Sequence, residues 1–325
     1  MKNKLFLALV TTQIVVIIFL AIHIYKNKEN TLGVISVNPI SKQSLISTPA
    51  ASLKFFTEPK PNTVIKNKPD FLPFESINTI NSDSLNERYE YAIEKSPETY
   101  RIISLGDSFT YGLYVDTKDN YSKVLEDMLN SRLSCKNIKK FEVINLGVIG
   151  YDIAYSVERF KKRGQKYNPD LIIWLLKSDD FFLIEDEFRG MMLPYEQDKE
   201  SGKLKPADYA KIFDQMLQRF KNESNINRKY QYQSSALNLL LKFYSKKLVI
   251  ITIPAIIEEK QIKILKDFAN SNKNVLFDSS IIRNDITAIS NIIRKDDYHP
   301  NKRGHFLIAE DLFKFLAAKN LFVCN

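Results

Sequence analysis

The sequence predicts an α/β fold built on a mostly parallel, five-stranded sheet. From about residue 100 onward, short runs of β-branched and aliphatic residues alternate with longer segments of helical periodicity. The short runs are apolar throughout, which is typical of parallel strands covered by helices on both faces. The chain has 325 residues and 44% hydrophobic residues, enough for a sizeable core.

The predicted elements share this alternation and cover the C-terminal two thirds of the chain. Strands are expected at residues 101–105, 141–146, 171–176, 248–253 and 275–277. Helices are expected at residues 120–133, 153–167, 207–221, 234–244, 258–270 and 303–318. The long polar stretch at 185–231 is expected to insert loops and helices near a functional site.

The N-terminal residues differ from this pattern and predict a membrane anchor. Residues 5–24 are almost continuously apolar, and about 20 residues suffice for a helix to cross a bilayer. No small-residue cleavage site follows, so residues 1–26 are interpreted as a basic tail and an uncleaved signal anchor. Residues 27–98 are expected to form a flexible stalk, to about residue 69, and a lead-in with a short helix near 85–93. The main domain is predicted at 99–325, outside the membrane.

Charge, motifs and cysteine content limit the kinds of binding partner and cofactor that the sequence predicts. The net charge of +9 fits either an acidic partner or a lysine-rich solvated surface, and the scattered lysines favour the surface interpretation. No nucleic-acid-binding pattern, metal-ligand cluster, dinucleotide fingerprint or Walker A motif is present, so no nucleic acid, metal or organic cofactor is expected. Cys135 and Cys324 are either a disulfide or two free thiols, and we favour free thiols.

A serine and a histidine carry the chemistry that the sequence predicts. Ser108 follows the first predicted strand, at the edge where open α/β folds bind ligands. A serine hydroxyl needs a base to take its proton and a carboxylate to orient that base. His299 follows Asp296 by three residues and precedes the last predicted helix. His305 is expected to be a surface or capping residue at the start of that helix.

Three segments resemble the GDSL, or SGNH, hydrolase family. They are Gly-Asp-Ser-Phe at 106–109, the segment 143–152 and Asp-Asp-Tyr-His-Pro at 296–300. The resemblance implies a three-layer, flavodoxin-like fold with Ser108 as nucleophile, His299 as base and Asp296 as its orienter. It also implies oxyanion donors at the amides of Ser108 and Gly150, in preference to Gly147.

One segment departs from the family pattern. The family has Gly-x-Asn-Asp after the third strand, with the Asn side chain as a third oxyanion donor, whereas this chain has Lys-Ser-Asp-Asp at 177–180. An ionised Asp179 cannot donate a hydrogen bond. Three interpretations are open: Asp179 is kept protonated by burial, Ser178 or a backbone amide substitutes, or activity is weak or lost. We expect activity to be retained, because Ser108, Asp296 and His299 are all present.

The sequence therefore predicts a serine-dependent ester hydrolase that forms an acyl-enzyme. The expected substrates are O-acyl groups of glycans or lipid esters outside the membrane. Two alternatives are an O-acyltransferase that uses the same residues on a cell-surface glycan and a catalytically degenerate glycan-binding protein. No oligomeric state follows from the sequence.

Overall fold

The predicted parallel sheet is confirmed in a computed structural model, which describes residues 53–222, 226–295, 297–322 and 324. The sheet contains β3 (Thr99–Leu105), β4 (Lys140–Asn145), β5 (Leu171–Leu176), β6 (Lys247–Thr252) and β7 (Val275–Phe277). Their order is β4-β3-β5-β6-β7, and all neighbouring pairs are parallel. A separate antiparallel hairpin precedes it, formed by β1 (Thr63–Asn67) and β2 (Ser76–Ile80).

The strand order determines where a site can form. From β3 the chain crosses to β4 on one side and then returns to β5 on the other side. Connections on opposite sides leave a crevice at the carboxyl ends of the two central strands, where ligands bind in open α/β sheets. Residues that follow β3 and β5 therefore meet at this edge.

The helices cover both faces of the sheet. Their bounds are α1 (Ser108–Tyr111), α2 (Tyr121–Arg132), α3 (Ile153–Arg159), α4 (Asp179–Phe182), α5 (Glu185–Glu200), α6 (Pro206–Lys221), α7 (Ile226–Phe243), α8 (Glu259–Asn270) and α9 (Lys302–Ala318). Alternate residues of one strand enter opposite apolar clusters: Ile172 and Trp174 pack with α3, α7 and α8, while Ile173 packs with α2 and α9. This alternation builds the three-layer arrangement that the all-apolar strands predict.

Two helical expectations differ from the structure. The segment predicted as one helix at 153–167 is α-helical only to Arg159 and continues as a π-helical turn (Phe160–Gly164) and a 3₁₀ turn (Gln165–Tyr167). The short helix expected near residues 85–93 is absent, and that segment is irregular, with an isolated bridge between Asn86 and Ile80. The chain enters this segment through a turn at Asn81, whose side chain accepts hydrogen bonds from the amides of Asp83 and Leu85. Such local hydrogen bonds compete with helix formation.

The described part of the predicted stalk and lead-in is structured. It includes the β1–β2 hairpin and a segment at residues 53–58 that packs on α3. Glu58 forms ion pairs with Arg159 and Arg163, each at 2.6 Å, and the Phe56 ring stacks on Tyr155 at 6.1 Å. Ordered packing therefore begins well before residue 99, the predicted start of the main domain.

The predicted membrane anchor at residues 5–24 lies outside the described residues. In the part of the chain that the structure describes, no helix has both the length and the apolar composition needed to cross a bilayer.

The expectation of two free thiols is wrong, because Cys135 and Cys324 form a disulfide. Their Cα atoms are 4.1 Å apart although 189 residues separate them in sequence. Packing of α9 against α2 brings the C-terminal tail to this place, and Phe322 of the tail packs edge-on against Phe141. The sequence spacing alone does not reveal this approach.

Candidate active site

Ser108 is held at the carboxyl edge of the sheet by a sharp turn. β3 ends at Leu105, and Gly106 has φ +148°, a conformation that favours glycine. A Cβ atom on Gly106 would lie 2.2 Å from Thr110 Oγ1, so the close approach of the turn also requires glycine. Asp107 then caps α1 by accepting a hydrogen bond from the Phe109 amide at 2.9 Å. Ser108 is the first residue of that helix and is buried.

The structure brings His299 to Ser108, as the sequence predicts for these two residues. Ser108 Oγ and His299 Nε2 are 2.8 Å apart, a normal hydrogen-bond distance. The His299 ring also packs against Phe109, with ring centroids 4.8 Å apart, and edge-on against Tyr114 at 5.6 Å. These contacts fix the plane of the imidazole.

The loop that carries His299 is anchored at both ends by backbone hydrogen bonds. The Ile293 amide donates to the His299 carbonyl at 2.8 Å, and the Asn301 amide donates to the Asn291 carbonyl at 2.9 Å. The Asn301 side chain caps α9 by accepting from the Gly304 amide at 3.1 Å. The base is therefore placed by a constrained loop that precedes a helix.

Among the described residues, the carboxylate that contacts the imidazole is that of Asp297. Asp297 Oδ1 forms a short contact with His299 Nδ1, on the side of the ring opposite Ser108. Asp296, the orienter implied by the family spacing, lies outside the described residues, so its role stays a prediction. The two acidic residues are adjacent in sequence, so mutation of each is needed to separate their roles.

The two candidate glycine donors differ in their hydrogen bonding. The Gly147 amide donates to Asn145 Oδ1 at 2.9 Å and is therefore occupied. Gly150 has φ +77°, and its amide has no acceptor among the residues that the structure describes. The Gly150 amide is therefore available as a backbone donor, and that role stays a prediction. A Cβ atom on Gly150 would lie 3.1 Å from Arg189 Nη2, so α5 closes over this turn.

Asp179 lies at the start of α4 and forms an ion pair with Lys177 Nζ. Its side chain is 41% exposed, so the structure does not support an Asp179 kept protonated by burial. Ser178 is also engaged: its hydroxyl donates to Glu258 at 3.3 Å and accepts from Gln261 at 3.0 Å. Its amide donates to the Ile256 carbonyl at 3.0 Å.

Lys177, like Asp297, is a site residue that sequence reasoning missed. It follows β5 directly, and its side chain is only 10% exposed. Nζ lies 2.8 Å from Asp107 Oδ2, in addition to its contact with Asp179. Burial alone would lower the pKa of Lys177, but the carboxyls of Asp107, Asp179 and Asp180 raise it well above the usual range. The side chain is therefore a buried ammonium.

Further acidic groups around the site are buried and hold protons more tightly than usual. Burial raises the pKa of Asp180 well above its usual range, and its Oδ2 accepts from the Lys177 amide at 2.8 Å. Burial likewise raises the pKa of Glu185 to about 7, although Arg189 lies 2.8 Å away. Burial raises the pKa of Asp152 to about 6, and this side chain joins α3, α5 and α7 through hydrogen bonds.

The surface or capping role expected for His305 is wrong. His305 is fully buried, and its Nδ1 accepts from the Tyr121 amide at 3.2 Å. Burial lowers the pKa of His305 to about 3, so the ring is neutral. The residue joins the start of α9 to α2, and Asn301 is the capping residue instead. Across the described residues, no three His, Cys, Asp or Glu side chains cluster as a metal site would require.

A hydroxyl, an imidazole and a carboxylate aligned in this order, at the switch point of a parallel sheet, define a serine hydrolase site. The family model for GDSL-like lipases and acylhydrolases matches residues 102–312, more than half of the chain. The chain therefore belongs to this family and is a hydrolase of ester bonds.

Several solved structures are similar to the chain at low identity. TesA is 16% identical with a TM-score of 0.42, over 68% of this chain and 99% of TesA. A two-domain esterase active on acetylated mannans is 17% identical with a TM-score of 0.45, over 70% of this chain and 52% of the esterase. A lipase/acylhydrolase from Enterococcus faecalis is 14% identical with a TM-score of 0.43, over 68% of this chain and 96% of that protein. No curated protein sequence matches the chain.

Proposed function

We propose that this chain is a membrane-anchored serine esterase that removes O-acyl groups from glycans outside the membrane. The observation that carries the proposal is the 2.8 Å hydrogen bond between Ser108 Oγ and His299 Nε2, with Asp297 behind the imidazole. This geometry is what an acyl-enzyme mechanism requires.

The mechanism follows from the direction of these bonds. With the Nδ1 proton of His299 directed at Asp297, Nε2 is free to accept the Ser108 proton as Oγ attacks the ester carbonyl. Negative charge develops on the carbonyl oxygen, near the amides expected to stabilise it at Ser108 and Gly150. His299 then gives its proton to the leaving alcohol, and an acyl-enzyme forms. Water repeats the sequence, releases the carboxylic acid and restores Ser108.

Two features support a location outside the membrane. The apolar segment at 5–24 has the length of a membrane-spanning helix and no cleavage signal. The disulfide between Cys135 and Cys324 fits an oxidising compartment, because cytosolic thiols are normally kept reduced.

The side chains near the site favour a polar alcohol over a lipid. Asp179 and Arg189 are 41% and 30% exposed, and Arg189 lies against Gly150. Charged groups at this position would lose hydration against an acyl-lipid body, whereas a hydroxyl-rich glycan offers them hydrogen bonds. Lipid esters are the competing substrate class in the test.

The test compares the detergent-solubilised full chain with its Ser108→Ala variant on p-nitrophenyl acetate. The variant is expected to lose at least about 10⁴-fold in kcat, because the nucleophile is absent. Ser131→Ala, an exposed serine on α2, is the matched control and is expected to keep the full rate. Equal rates for the wild type and Ser108→Ala would overturn the proposal.

The substrate class and the acceptor are tested separately. O-acetylated oligosaccharides and short-chain lipid esters are compared by released acid, and the glycan ester is expected to have the higher kcat/KM. Adding an unacylated oligosaccharide distinguishes hydrolysis, which releases acid, from O-acyl transfer, which yields an acylated acceptor. A fluorophosphonate probe that fails to label Ser108 of the folded chain would favour the non-catalytic alternative.

A further inference from the structure

A buried ammonium lies one carboxylate away from the nucleophile. We propose that Lys177 provides the positive charge that stabilises the oxyanion formed at Ser108, in a site where Asp179 cannot donate a hydrogen bond. The inference rests on the esterase mechanism proposed above and adds a catalytic residue to it.

The position of the ammonium follows from the strand order. β3 and β5 are neighbours in the sheet, so the residues that follow them meet at the same edge. Lys177 Nζ lies 2.8 Å from Asp107 Oδ2, and the same oxygen is 3.4 Å from Ser108 Oγ. The Lys177 nitrogen also lies 5.6 Å from the centroid of the Phe109 ring, which packs on His299. The cation is therefore next to the reacting serine.

The local charge requires such a cation. Two carboxylates, Asp107 and Asp179, flank the site, and the tetrahedral intermediate adds a further negative charge on the substrate oxygen. Without Lys177 this oxygen would develop its charge beside uncompensated carboxylates. In a site shielded from water, a nearby ammonium has a much larger effect on that charge than it would have in bulk solvent.

The hydrogen-bonding capacity of the ammonium fits the same role. A lysine ammonium has three N–H donors. Within the described residues, Asp107 and Asp179 are the carboxylates that contact Lys177 Nζ, so a third donor remains for the substrate oxygen. Asp179, which contacts the ammonium, is the residue at which the family pattern has its side-chain donor.

A purely structural role for Lys177 makes a different prediction, and Lys123 is the matched control. Lys123 on α2 is fully buried and also pairs with two carboxylates, Glu87 at 2.7 Å and Glu126 at 3.2 Å. Its partners lie outside the site. Loss of either lysine is expected to lower the melting temperature, but only loss of Lys177 is expected to change the rate of chemistry in the folded enzyme.

The experiment uses the full chain and the variants Lys177→Gln, Asp179→Asn, the double variant and Lys123→Gln. Hydrolysis of p-nitrophenyl acetate gives kcat and KM, and thermal melting identifies folded protein. Lys177→Gln is expected to lose about 10²–10³-fold in kcat with little change in KM. Asp179→Asn is expected to keep or increase kcat, since it adds an amide donor. The double variant is expected to return kcat to within about tenfold of the wild type, because an amide donor then replaces the ion pair.

A second readout separates this inference from the proposed function. Fluorophosphonate labelling of Ser108 forms a tetrahedral adduct, so its rate reports on oxyanion stabilisation without the natural substrate. A wild type that is not labelled would overturn the proposed function. A wild type and a Lys177→Gln variant that label equally fast would leave that function intact and overturn the role of Lys177.

Two further outcomes of the kinetic comparison decide whether Lys177 stabilises the oxyanion. A kcat loss in Lys123→Gln equal to that in Lys177→Gln would identify a structural effect and refute the inference. If Lys177→Gln does not fold, the double variant decides: recovery of kcat to within tenfold of wild type supports the inference. A folded double variant with a larger loss contradicts it.

Discussion

Replacing Asp297 by Asn is expected to lower kcat by about 10³-fold while leaving KM nearly unchanged. Asp297 acts through His299, so it is a positioning residue. In the structure its carboxylate contacts Nδ1, which keeps the proton on that nitrogen and leaves Nε2 to accept from Ser108. An Asn amide can donate to Nδ1 instead, which would place the ring proton on Nε2 and block the proton transfer.

The magnitude follows from how strongly this contact is shielded from water. In a fully buried triad the same substitution costs about 10⁴-fold in kcat. Here the side chains of His299 and Asp297 are 17% and 20% exposed, so water can partly replace the lost acceptor. A loss of about 10³-fold corresponds to about 4 kcal/mol on the activation barrier.

The matched control is Asp296→Asn, which removes the same charge from the neighbouring residue. The assay is hydrolysis of p-nitrophenyl acetate by the full chain, with kcat and KM measured for both variants. If Asp297 alone orients His299, Asp296→Asn stays within tenfold of the wild type. If Asp296 shares that role, as the family spacing predicts, both variants lose activity. A reversed result, with the large loss in Asp296→Asn, would refute the assignment and support the orienter that the family spacing implies.

Two further predictions concern stability. Burial raises the pKa of Glu185 from its usual 4.5 to about 7, so the folded state holds a proton that the unfolded state releases between these values. The contribution of Glu185 to stability should therefore fall by about 3 kcal/mol as pH rises through this window. Glu185→Gln should remove that part of the fall in urea denaturation at about pH 5 and 7.5 and leave the parts due to Asp152 and Asp180. An unchanged pH dependence would contradict the burial argument. Replacing Cys135 and Cys324 by Ser should lower the free energy of unfolding by about 2–5 kcal/mol, because the disulfide closes a loop of 189 residues. A reductant should destabilise the wild type but not the variant. Detection of two free thiols in protein that is unfolded without a reductant would exclude the disulfide.

The sheet could be predicted closely from the sequence because its strands are buried on both faces. A continuous apolar run has few alternative placements, and the predicted strands at 101–105 and 248–253 differ from β3 and β6 by at most two residues at either end. The predicted helix at 234–244 begins eight residues later than α7, since the first two turns of α7 carry polar residues. Lys229 and Gln233 of those turns are nevertheless fully buried, with the Gln233 side chain donating to Asp152 at 2.9 Å. Periodicity of apolar residues cannot reveal a buried polar contact to a distant helix.

The same limit applies to the site. Ser108 and His299 were recognisable because each lies in a distinct local pattern, and the structure places them in hydrogen-bond contact. Lys177 carries no such signal, since a lysine after a strand is normally solvated. Its burial depends on Asp107, which is 70 positions earlier in the sequence and becomes its neighbour only when β3 and β5 pair.

The Lys177–Asp179 pair changes how the departure from the family pattern should be interpreted. A neutral amide stabilises an oxyanion as a dipole, and its replacement by a lone carboxylate would oppose the reaction. In this chain the carboxylate is paired with a buried cation that also compensates Asp107, the residue that caps the nucleophile helix. The chain departs from the family pattern at both 177 and 179, and the two residues act together. Without Asp179, the Lys177 ammonium would be directed towards Asp107 alone. An Asp in place of the family's Asn at residue 179 would by itself predict lost activity. Together with Lys177, it predicts activity that depends on the charge of the lysine.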